Sequence, residues 1–510
     1  MTTFAAPMPA NGHTSVPAEA LRSAKGLCAH SFDVEATQLG LDIARAGGAP
    51  GRRLLWRKEM TLLGVGEALR VRLATPWPAG AALARQVLSA IRQAKPTTPV
   101  SKPAHDVRQG TGLPVGAVAM GALPYDPQAA GHLVVPEVLV ALSGHTARVT
   151  VVAPKQGRAP SIGSVLERLH EPAMHGPATL TGASPDSFTL TASMPHHAWK
   201  QLVERTVSAI SAGKFTKVVL ARCVEVSANR PFVLHEALAR LVDLYPSCAV
   251  FHLEGFIGAS PETLVRKAGD QVMSYPLAGT VARSGDELSD GSVVAALLSS
   301  SKARHEHRVV VDAIATRLRP YCSELDVPSQ PSVLALRNVS HLGTLLRGTL
   351  LRDAPEGAPA EAALGEPAPA SPSALGAAGA AWTGAPEPST MPTPAGPGTN
   401  GGPRACPPSA LELAALLQPT PAVGGNPTKA AIEWQRATEG FDRGWYAGPL
   451  GWVDSAGDGE WVLGLRSAHV AGDRALLYAG NGIVAGSDPD AELAETQLKL
   501  QALLAALVRP

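Results

Sequence analysis

Residues 447–484, AGPLGWVDSAGDGEWVLGLRSAHVAGDRALLYAGNGIV, contain three apolar segments of strand length that are separated by the short connections SAGDG and AGD. Glycine accepts left-handed backbone angles and aspartate hydrogen-bonds to nearby backbone groups, so both residues favour tight turns. Apolar segments joined by such turns are typical of consecutive antiparallel strands. This stretch therefore predicts a strand meander near the C-terminal end of the sequence.

Upstream of the meander, four more segments have an apolar or alternating pattern. They are KVVLARCVEV, CAVFHLEG, ETLVRK and QVMSYPL, all within residues 217–277, and we expect them to be neighbouring antiparallel strands. Segments of helical period fill the gaps, at residues 197–212, 299–318, 410–417, 428–439 and 490–508. Strands interrupted by helices predict an α+β fold, with large antiparallel sheets wrapped by helices.

The overall composition is that of a globular, enzyme-sized chain. The 510 residues are 45% hydrophobic and 17% charged, and the formal net charge of +1 argues against nucleic acid as a partner. The five cysteines do not have the spacing of a metal ribbon or a disulfide framework, which favours a reducing compartment. No stretch approaches the roughly 20 apolar residues that span a bilayer. We expect a cytoplasmic protein without a membrane partner, either a monomer or a dimer.

Two segments are expected to lie outside the folded domain. Residues 1–28 are rich in alanine, proline and small polar residues without periodicity, and they predict a disordered leader. Residues 353–408 are mostly Ala, Pro, Gly and Ser, which offer too little apolar area to offset the entropy of ordering. We expect a disordered insert there. The sequence thus predicts one domain over residues 29–510, with its catalytic motifs within 199–500.

Two residues could carry acid–base chemistry. Lys217 opens the strand KVVLAR, where a lysine is most often a solvated edge charge; as a base it needs surroundings that favour the neutral amine. Glu262 follows a Ser-Pro turn in GASPETLVR and is a surface carboxylate or, in a dry site, an acid whose pKa is raised toward neutrality. The residues alone leave both alternatives open.

Three glutamates could bind a divalent metal ion. Glu306 lies in SSKARHEHR, which is not the zinc pattern HExxH, because adjacent residues diverge by about 100° around a helix. Glu492 and Glu495 lie one turn apart in the last helix, followed by Lys499, a spacing that most often gives an exposed, salt-bridged stripe. If these carboxylates face Glu306 across a cleft, the all-oxygen set favours Mg²⁺ over zinc.

Two glycine-rich segments and one arginine could bind an anion. YPLAGT at 275–280 and YAGNGIV at 478–484 are interpreted as turns whose exposed N–H groups could bind carboxylate oxygens. Arg466, in LGLRSA, could clamp a carboxylate through two hydrogen bonds or could be a surface charge.

In their order along the chain, these segments resemble the chorismate-utilising enzymes, which include isochorismate, salicylate, anthranilate and aminodeoxychorismate synthases. The motifs are KVVLAR, GASPETLVR, PLAGT, SKARHEHR, HLGTLLRG, LLQPTPAVGGNP, FDRGWYAGPLGWVD, GEWVLGLRSA, YAGNGIV and AELAETQLKL. The resemblance is strong over residues 199–500. It implies one large domain of two sheet-containing subdomains with the active site between the sheets.

The resemblance also implies a role for each candidate residue. Lys217 would be the base that activates water, and Glu262 the acid that assists departure of the C4 hydroxyl of chorismate. Mg²⁺ would be bound by Glu306, Glu495 and Glu492 and would hold the ring carboxylate. The residues implied to line the substrate site are Gly279, Thr280, His341, Arg466, Gly482 and Lys499.

Within this family the sequence resembles the branch that uses water. A lysine at position 217, and PLAGT rather than PIKGT, argue against the amine-transferring enzymes. We expect an isomerase, an isochorismate synthase that serves siderophore, menaquinone or salicylate biosynthesis. Salicylate synthase, which continues by eliminating pyruvate, is the alternative, because Gly343 occupies a variable position where the sequence also resembles some salicylate synthases. Ser301 and Ala303 replace acidic residues of many relatives, which implies a less acidic cleft. A non-catalytic binding protein with the same fold is disfavoured by the intact candidate residues.

Overall fold

The computed structural model describes residues 17–57, 59–73, 77–94, 113–157, 159–170, 184–352 and 407–508. Within these ranges the helices are α1 (Pro17–Lys25), α2 (Ile43–Gly47), α3 (Trp77–Ala90), α4 (Ile162–His170), α5 (His196–Ser211), α6 (Leu234–Leu244), α7 (Glu287–Ser299), α8 (Ser301–Leu318), α9 (Ala410–Leu417), α10 (Thr428–Thr438) and α11 (Pro489–Leu507). None of these described helices is long and apolar enough to cross a membrane.

The strands form two large sheets and a small one, as predicted for an α+β fold. The first sheet has the order β10 (Phe188–Ala192), β11 (Lys217–Ala228), β25 (Arg474–Ile483), β24 (Ser467–Ala471), β13 (Phe256–Ser260), β12 (Ala249–Leu253), β2 (Arg52–Trp56), β3 (Thr61–Val65), β8 (Val138–Ser143), β9 (Thr146–Pro154), β1 (Leu27–Glu35) and β5 (Arg92–Gln93), and β21 (Gly425–Asn426) pairs with β11. Pairing among these strands is antiparallel except between β1 and β5.

The second sheet has the order β17 (Cys322–Asp326), β20 (Leu346–Leu350), β15 (Gln271–Tyr275), β14 (Thr263–Ala268), β23 (Gly459–Leu463), β22 (Pro449–Asp454), β6 (Val118–Ala122), β7 (Gly131–Val135) and β4 (Leu69–Leu73). The small sheet has the order β16 (Leu277–Ala282), β19 (Val339–Gly343) and β18 (Ser332–Ala335). Strands from both the N-terminal and the C-terminal parts therefore complete each large sheet.

One hydrophobic core is shared by the two large sheets. Phe251 and Phe256 of the first sheet and Trp461 of the second belong to the same cluster of buried side chains. Burial of an apolar side chain of this size stabilises the fold by roughly 1.5–3 kcal/mol. A separate core lies where α6 and α11 pack on strands of the first sheet. Helices pack on both large sheets, with α6 against the first sheet and α3 and α9 against the second.

The chain crosses between the large sheets several times, and two of these crossovers contain predicted site residues. β13 ends at Ser260 in the first sheet, and β14 begins at Thr263 in the second. In the C-terminal meander, β23 ends in the second sheet and β24 begins in the first, after a residue with positive φ, Arg466 at 48°. Glu262 lies in the first crossover and Arg466 in the second. The fold therefore brings two of the predicted site residues to the junction of the sheets.

Strand pairing departs from the sequence-based prediction. ETLVRK and QVMSYPL do pair, as β14 and β15, but CAVFHLEG forms β12 in the other large sheet. The segment EWVLGLRSAHV, expected to be one strand, is divided between the two sheets. Gly464 allows this break, because a Cβ there would lie 2.5 Å from the carbonyl oxygen of Trp445. The alternation of residues predicts strands, but it carries no information about which sheet receives them.

The two glycine-rich segments were wrongly interpreted as turns. Residues 277–280 of the first segment lie in β16 (Leu277–Ala282), and residues 478–483 of the second lie in β25 (Arg474–Ile483). The glycines serve the strands instead: Gly279, with φ of +77°, is the extra residue of a bulge in β16. Their role is to shape strands rather than to end them.

The predicted leader boundary is also wrong. Residues 17–25 form α1, whose Ala20 and Ala24 are buried in the shared core, and residues 27–28 begin β1. These alanines are four residues apart and lie on one face of the helix, a signal that is weak in alanine-rich sequence. Residues 1–16 of the leader and 353–406 of the expected insert lie outside the described residues.

Candidate functional site

A cavity of about 410 Å³ lies at the junction of the sheets. All eleven residues predicted for the site line it, namely Lys217, Glu262, Gly279, Thr280, Glu306, His341, Arg466, Gly482, Glu492, Glu495 and Lys499. They come from strands of the first and the small sheet, from the two crossovers, and from α8 and α11. Residues up to 282 positions apart in sequence (499 minus 217) are thereby brought into one concave site.

Lys217 is a buried lysine rather than an edge charge. It begins β11, only 3% of it is exposed, and its Nζ lies 3.0 Å from Oε1 of Glu306. Gly482 on the neighbouring β25 makes room for this pair, because a Cβ at residue 482 would lie 2.5 Å from Oε1 of Glu306 and 2.8 Å from Cε of Lys217. The glycine is therefore needed for the position of both charged groups.

Glu262 has the surroundings that an acid catalyst requires. It lies in the first crossover and is only 4% exposed. Burial raises the pKa of its carboxyl to about 8, although the Leu277 N–H and the charges of Lys217 and Arg466 act in the opposite direction. The carboxyl group therefore keeps its proton at neutral pH and has one to give.

His341 connects two other predicted residues. Its Nε2 lies 2.8 Å from Nη2 of Arg466, and its Nδ1 lies 3.0 Å from Oγ1 of Thr280. Burial, followed by the charges of Arg466 and Lys499, holds the pKa of His341 well below its usual value. The ring is therefore a neutral link between a buried cation and a hydroxyl group at the cavity wall.

The three glutamates predicted as metal ligands share the cavity wall. Ser300 caps α8 and Asp488 caps α11, which fixes where Glu306, Glu492 and Glu495 project. Oε1 of Glu495 lies 2.6 Å from Nζ of Lys499, and Oε2 of Glu492 accepts a hydrogen bond of 3.1 Å from Asn481. Burial, together with the charge of Glu495, raises the pKa of Glu492.

The oxygen atoms of the three glutamates suit a hard cation, although their carboxylates do not all point to one common position. Among the described residues, no three His, Cys, Asp or Glu side chains are arranged to hold a metal ion. Glu306 and Glu495 each contact a lysine instead. The repulsion between Glu492 and Glu495 is nevertheless what a divalent cation would relieve. Three carboxylates on one cavity wall therefore fit Mg²⁺ chemically, provided that the lysine contacts exchange for the ion.

Two tyrosines of the cavity were not singled out from the sequence. Tyr446 and Tyr478 stack with ring centroids 5.0 Å apart and planes inclined by 11°, and both line the cavity. Burial raises the pKa of Tyr446 to about 12, so its hydroxyl group stays protonated. Both lie inside motifs that carried the family resemblance, FDRGWYAGPLGWVD and YAGNGIV, and this was the available signal.

Comparisons with known proteins give one consistent result. A family model described as "Chorismate binding enzyme" matches residues 25–357 and 406–508. Isochorismate synthase DhbC of Bacillus subtilis is 35% identical over 320 residues, 61% of this chain and 67% of that protein. Isochorismate synthase EntC of Escherichia coli is 31% identical over 392 residues, 76% of this chain and 80% of that protein. The crystal structure of a putative 2,3-dihydroxybenzoate-specific isochorismate synthase from Bacillus anthracis matches with a TM-score of 0.63 and 29% identity, covering 90% of this chain and 96% of that one.

Proposed function

The chain belongs to the chorismate binding enzymes, and we propose that it is an isochorismate synthase, a Mg²⁺-dependent isomerase that converts chorismate to isochorismate. Relatives more than 30% identical bear that name, which supports the substrate and the product. The observation that carries the proposal is the pairing of a buried lysine with a protonated, buried glutamate in one cavity. A reaction that adds water at one carbon and removes a hydroxyl group at another needs one base and one acid.

Lys217 and Glu262 divide the proton transfers between them. Nζ of Lys217 takes a proton from the water that attacks C2 of the ring, and Glu262 gives its proton to the C4 hydroxyl group, which leaves as water. The ring double bonds shift between these two carbons. One water is consumed and one released, so the product is an isomer of the substrate. The raised pKa of Glu262 supports its role as the acid.

Glu306 links the proposed base to the proposed metal site. Its Oε1 lies 3.0 Å from Nζ of Lys217. Glu306 is also one of the proposed metal ligands, so a cation bound there would draw its carboxylate away from the amine.

Mg²⁺ is proposed to be held by Glu306 and Glu495, with Glu492 as a further oxygen donor. When bound there, the ion supplies positive charge that neutralises the ring carboxylate of chorismate. Arg466 and Lys499, which line the same cavity, add positive charge for the second carboxylate. On a chain with a formal net charge of only +1, capture of a dianion depends on such local groups.

One assay tests the proposed function. Purified protein is incubated with chorismate, with and without Mg²⁺, and the products are separated by chromatography. We expect isochorismate to form only with the metal. Salicylate together with pyruvate would identify a salicylate synthase instead, and absence of any chorismate turnover would contradict the proposal.

A further inference from the structure

His341 is surrounded by partners that determine which ring nitrogen carries its proton. Arg466 donates to Nε2 across 2.8 Å, and a guanidinium group has only N–H donors and stays protonated. Nε2 must therefore offer its lone pair. Since the ring is neutral, its single proton lies on Nδ1, the atom 3.0 Å from Oγ1 of Thr280.

We propose that His341 is a positioning residue that Arg466 holds in the Nδ1–H tautomer. In this tautomer His341 donates to the Thr280 oxygen, so the hydroxyl proton of Thr280 points into the cavity and is donated to an oxygen atom of the substrate. The Thr280 oxygen accepts from Nδ1–H, so the hydroxyl hydrogen is not used in that contact. Thr280 lines the cavity, where an anionic ligand provides acceptor oxygens. The inference rests on the proposed function only for the identity of that ligand.

The backbone of the small sheet is built to make this contact. The Cα atoms of Thr280 and His341 are direct cross-strand partners, although Ala278 pairs with the next residue, Leu342. Gly279 is therefore an extra residue in β16, and its φ of +77° is one that glycine adopts without strain. Without this bulge, Thr280 would move out of register with His341 and to the other face of the strand.

The same geometry excludes a role for His341 in proton transfer. Its Nε2 lone pair is occupied by a guanidinium group, and its Nδ1 proton is directed at the hydroxyl oxygen of Thr280 and the backbone of Gly279. A base needs a free lone pair and an acid needs a proton directed at the substrate, and neither nitrogen meets its requirement. Lys217 and Glu262 are left as the proton-transfer pair.

The tautomer can be measured directly on the unmodified protein. Long-range ¹H–¹⁵N correlation spectra of ¹⁵N-histidine-labelled protein distinguish a protonated ring nitrogen from an unprotonated one. The His341 signals are assigned by their absence from the spectrum of His341→Asn. We expect a protonated Nδ1 and an unprotonated Nε2, and a proton on Nε2 overturns the proposal. If His341→Asn fails to fold, neutron diffraction from crystals of the unmodified protein locates the same proton.

Substitutions of Thr280 test the donor role. Thr280→Val keeps the shape and removes the hydroxyl group, so kcat/KM for chorismate should fall on the order of 10- to 100-fold, as expected for loss of a hydrogen bond to a charged group. Thr280→Ser keeps the hydroxyl group and should stay close to the unmodified value. Ser340→Ala is the control, because it removes from the adjacent position of β19 a buried hydroxyl group that has no hydrogen-bond partner among the described residues. Equal rates for the valine and serine variants would contradict the inference.

Two substitutions of His341 distinguish a role in positioning Thr280 from a purely structural role. His341→Asn can still donate to Thr280 from the position of Nδ1, whereas His341→Ala cannot. We expect the asparagine variant to retain more activity than the alanine variant at equal thermal stability. Equal losses of activity in the two variants would contradict the positioning role of His341. If the unmodified protein makes no isochorismate, the proposed function fails, while the position of the ring proton still decides this inference.

Discussion

Lys217 shows how a residue acquires chemistry from its surroundings. From the sequence alone a solvated edge charge was the more common alternative to a base, because burial is set by residues far away in the chain. The structure shows that Lys217 is not an edge charge: it is buried, and Glu306, more than 80 positions later, lies 3.0 Å from its amine. The motifs and the family resemblance were sufficient to list the residues of the site, but their contacts follow from packing.

Lys217→Met should abolish isochorismate formation. Loss of a general base typically lowers kcat by about 10²- to 10⁴-fold. Lys267→Met is the matched control, since Lys267 is also buried and paired with a carboxylate, Asp458, but does not line the cavity. The control should lose stability and keep its turnover rate. Equal rates for Lys217→Met and the unmodified protein would disprove the assignment of the base.

The pKa of Glu262 should determine where kcat falls at alkaline pH. Its carboxyl has a pKa of about 8, so kcat should fall as the pH rises through that value and the acid loses its proton. The measurement is kcat at saturating chorismate between pH 6 and pH 9.5.

The carboxyl group of Glu262 should also make the stability of the fold depend on pH. Its pKa is higher in the folded than in the unfolded protein, so its contribution to stability is complete at acidic pH and is lost as the pH rises through about 8. Glu262→Gln should therefore be inactive, yet melt higher than the unmodified protein at pH 9 by more than it does at pH 5. A melting difference that does not depend on pH would show that the carboxyl is not protonated in the folded state.

Gly482→Ala should disturb the charged pair without removing a charge. The new methyl group would lie 2.5 Å from Glu306 and 2.8 Å from Lys217, so at least one of them must move. Misplacement of a catalytic group by about 1 Å can cost on the order of 100-fold in rate. Gly486→Ala is the control, because a Cβ at residue 486 meets no atom within 4 Å. Unchanged kcat/KM in Gly482→Ala would mean that the close contact is absent.

At the scale of elements, the sequence predicted helices better than it predicted strand partners. The five helices expected from the sequence are present, and the one expected at 410–417 has those bounds, whereas α1 to α4, α6 and α7 were missed. The strand expected at 460–470 is divided between two sheets. A helix is determined largely by local periodicity and by caps such as Ser300. The crossover between β23 and β24 depends on the space around Gly464 and on the backbone angle of Arg466, and no local sequence pattern indicates either of them.

The second crossover has a strained backbone at Arg466, a residue that lines the cavity. Arg466 has a φ of 48°, which costs a residue with a Cβ about 1–2 kcal/mol, whereas glycine adopts it freely. Arg466→Gly should therefore have a free energy of unfolding about 1 kcal/mol higher than that of Arg466→Ala. Both variants should show a raised KM, because both lose the guanidinium group. Urea unfolding of the pair tests the backbone, and an alanine variant as stable as the glycine variant would contradict the strain.

For the whole molecule, the position of the site follows from the junction between the two large sheets. Their strands pack on one hydrophobic core, and two of the chain's crossings between them contain Glu262 and Arg466. Short connections between buried strands thus hold these two side chains at the cavity. Helices α8 and α11 add Glu306, Glu492 and Glu495. Charged side chains that are far apart in the sequence thereby line one cavity of a protein whose formal net charge is +1.

The most direct test of the proposed chemistry is the origin of the C2 hydroxyl group of the product. Chorismate and Mg²⁺ are incubated with the protein in water enriched in ¹⁸O, and the isochorismate is analysed by mass spectrometry. We expect one ¹⁸O atom per product molecule, located at C2, because Lys217 is proposed to activate solvent water. Isochorismate without the label would mean that the hydroxyl group migrates within the substrate, and would contradict the roles of both Lys217 and Glu262.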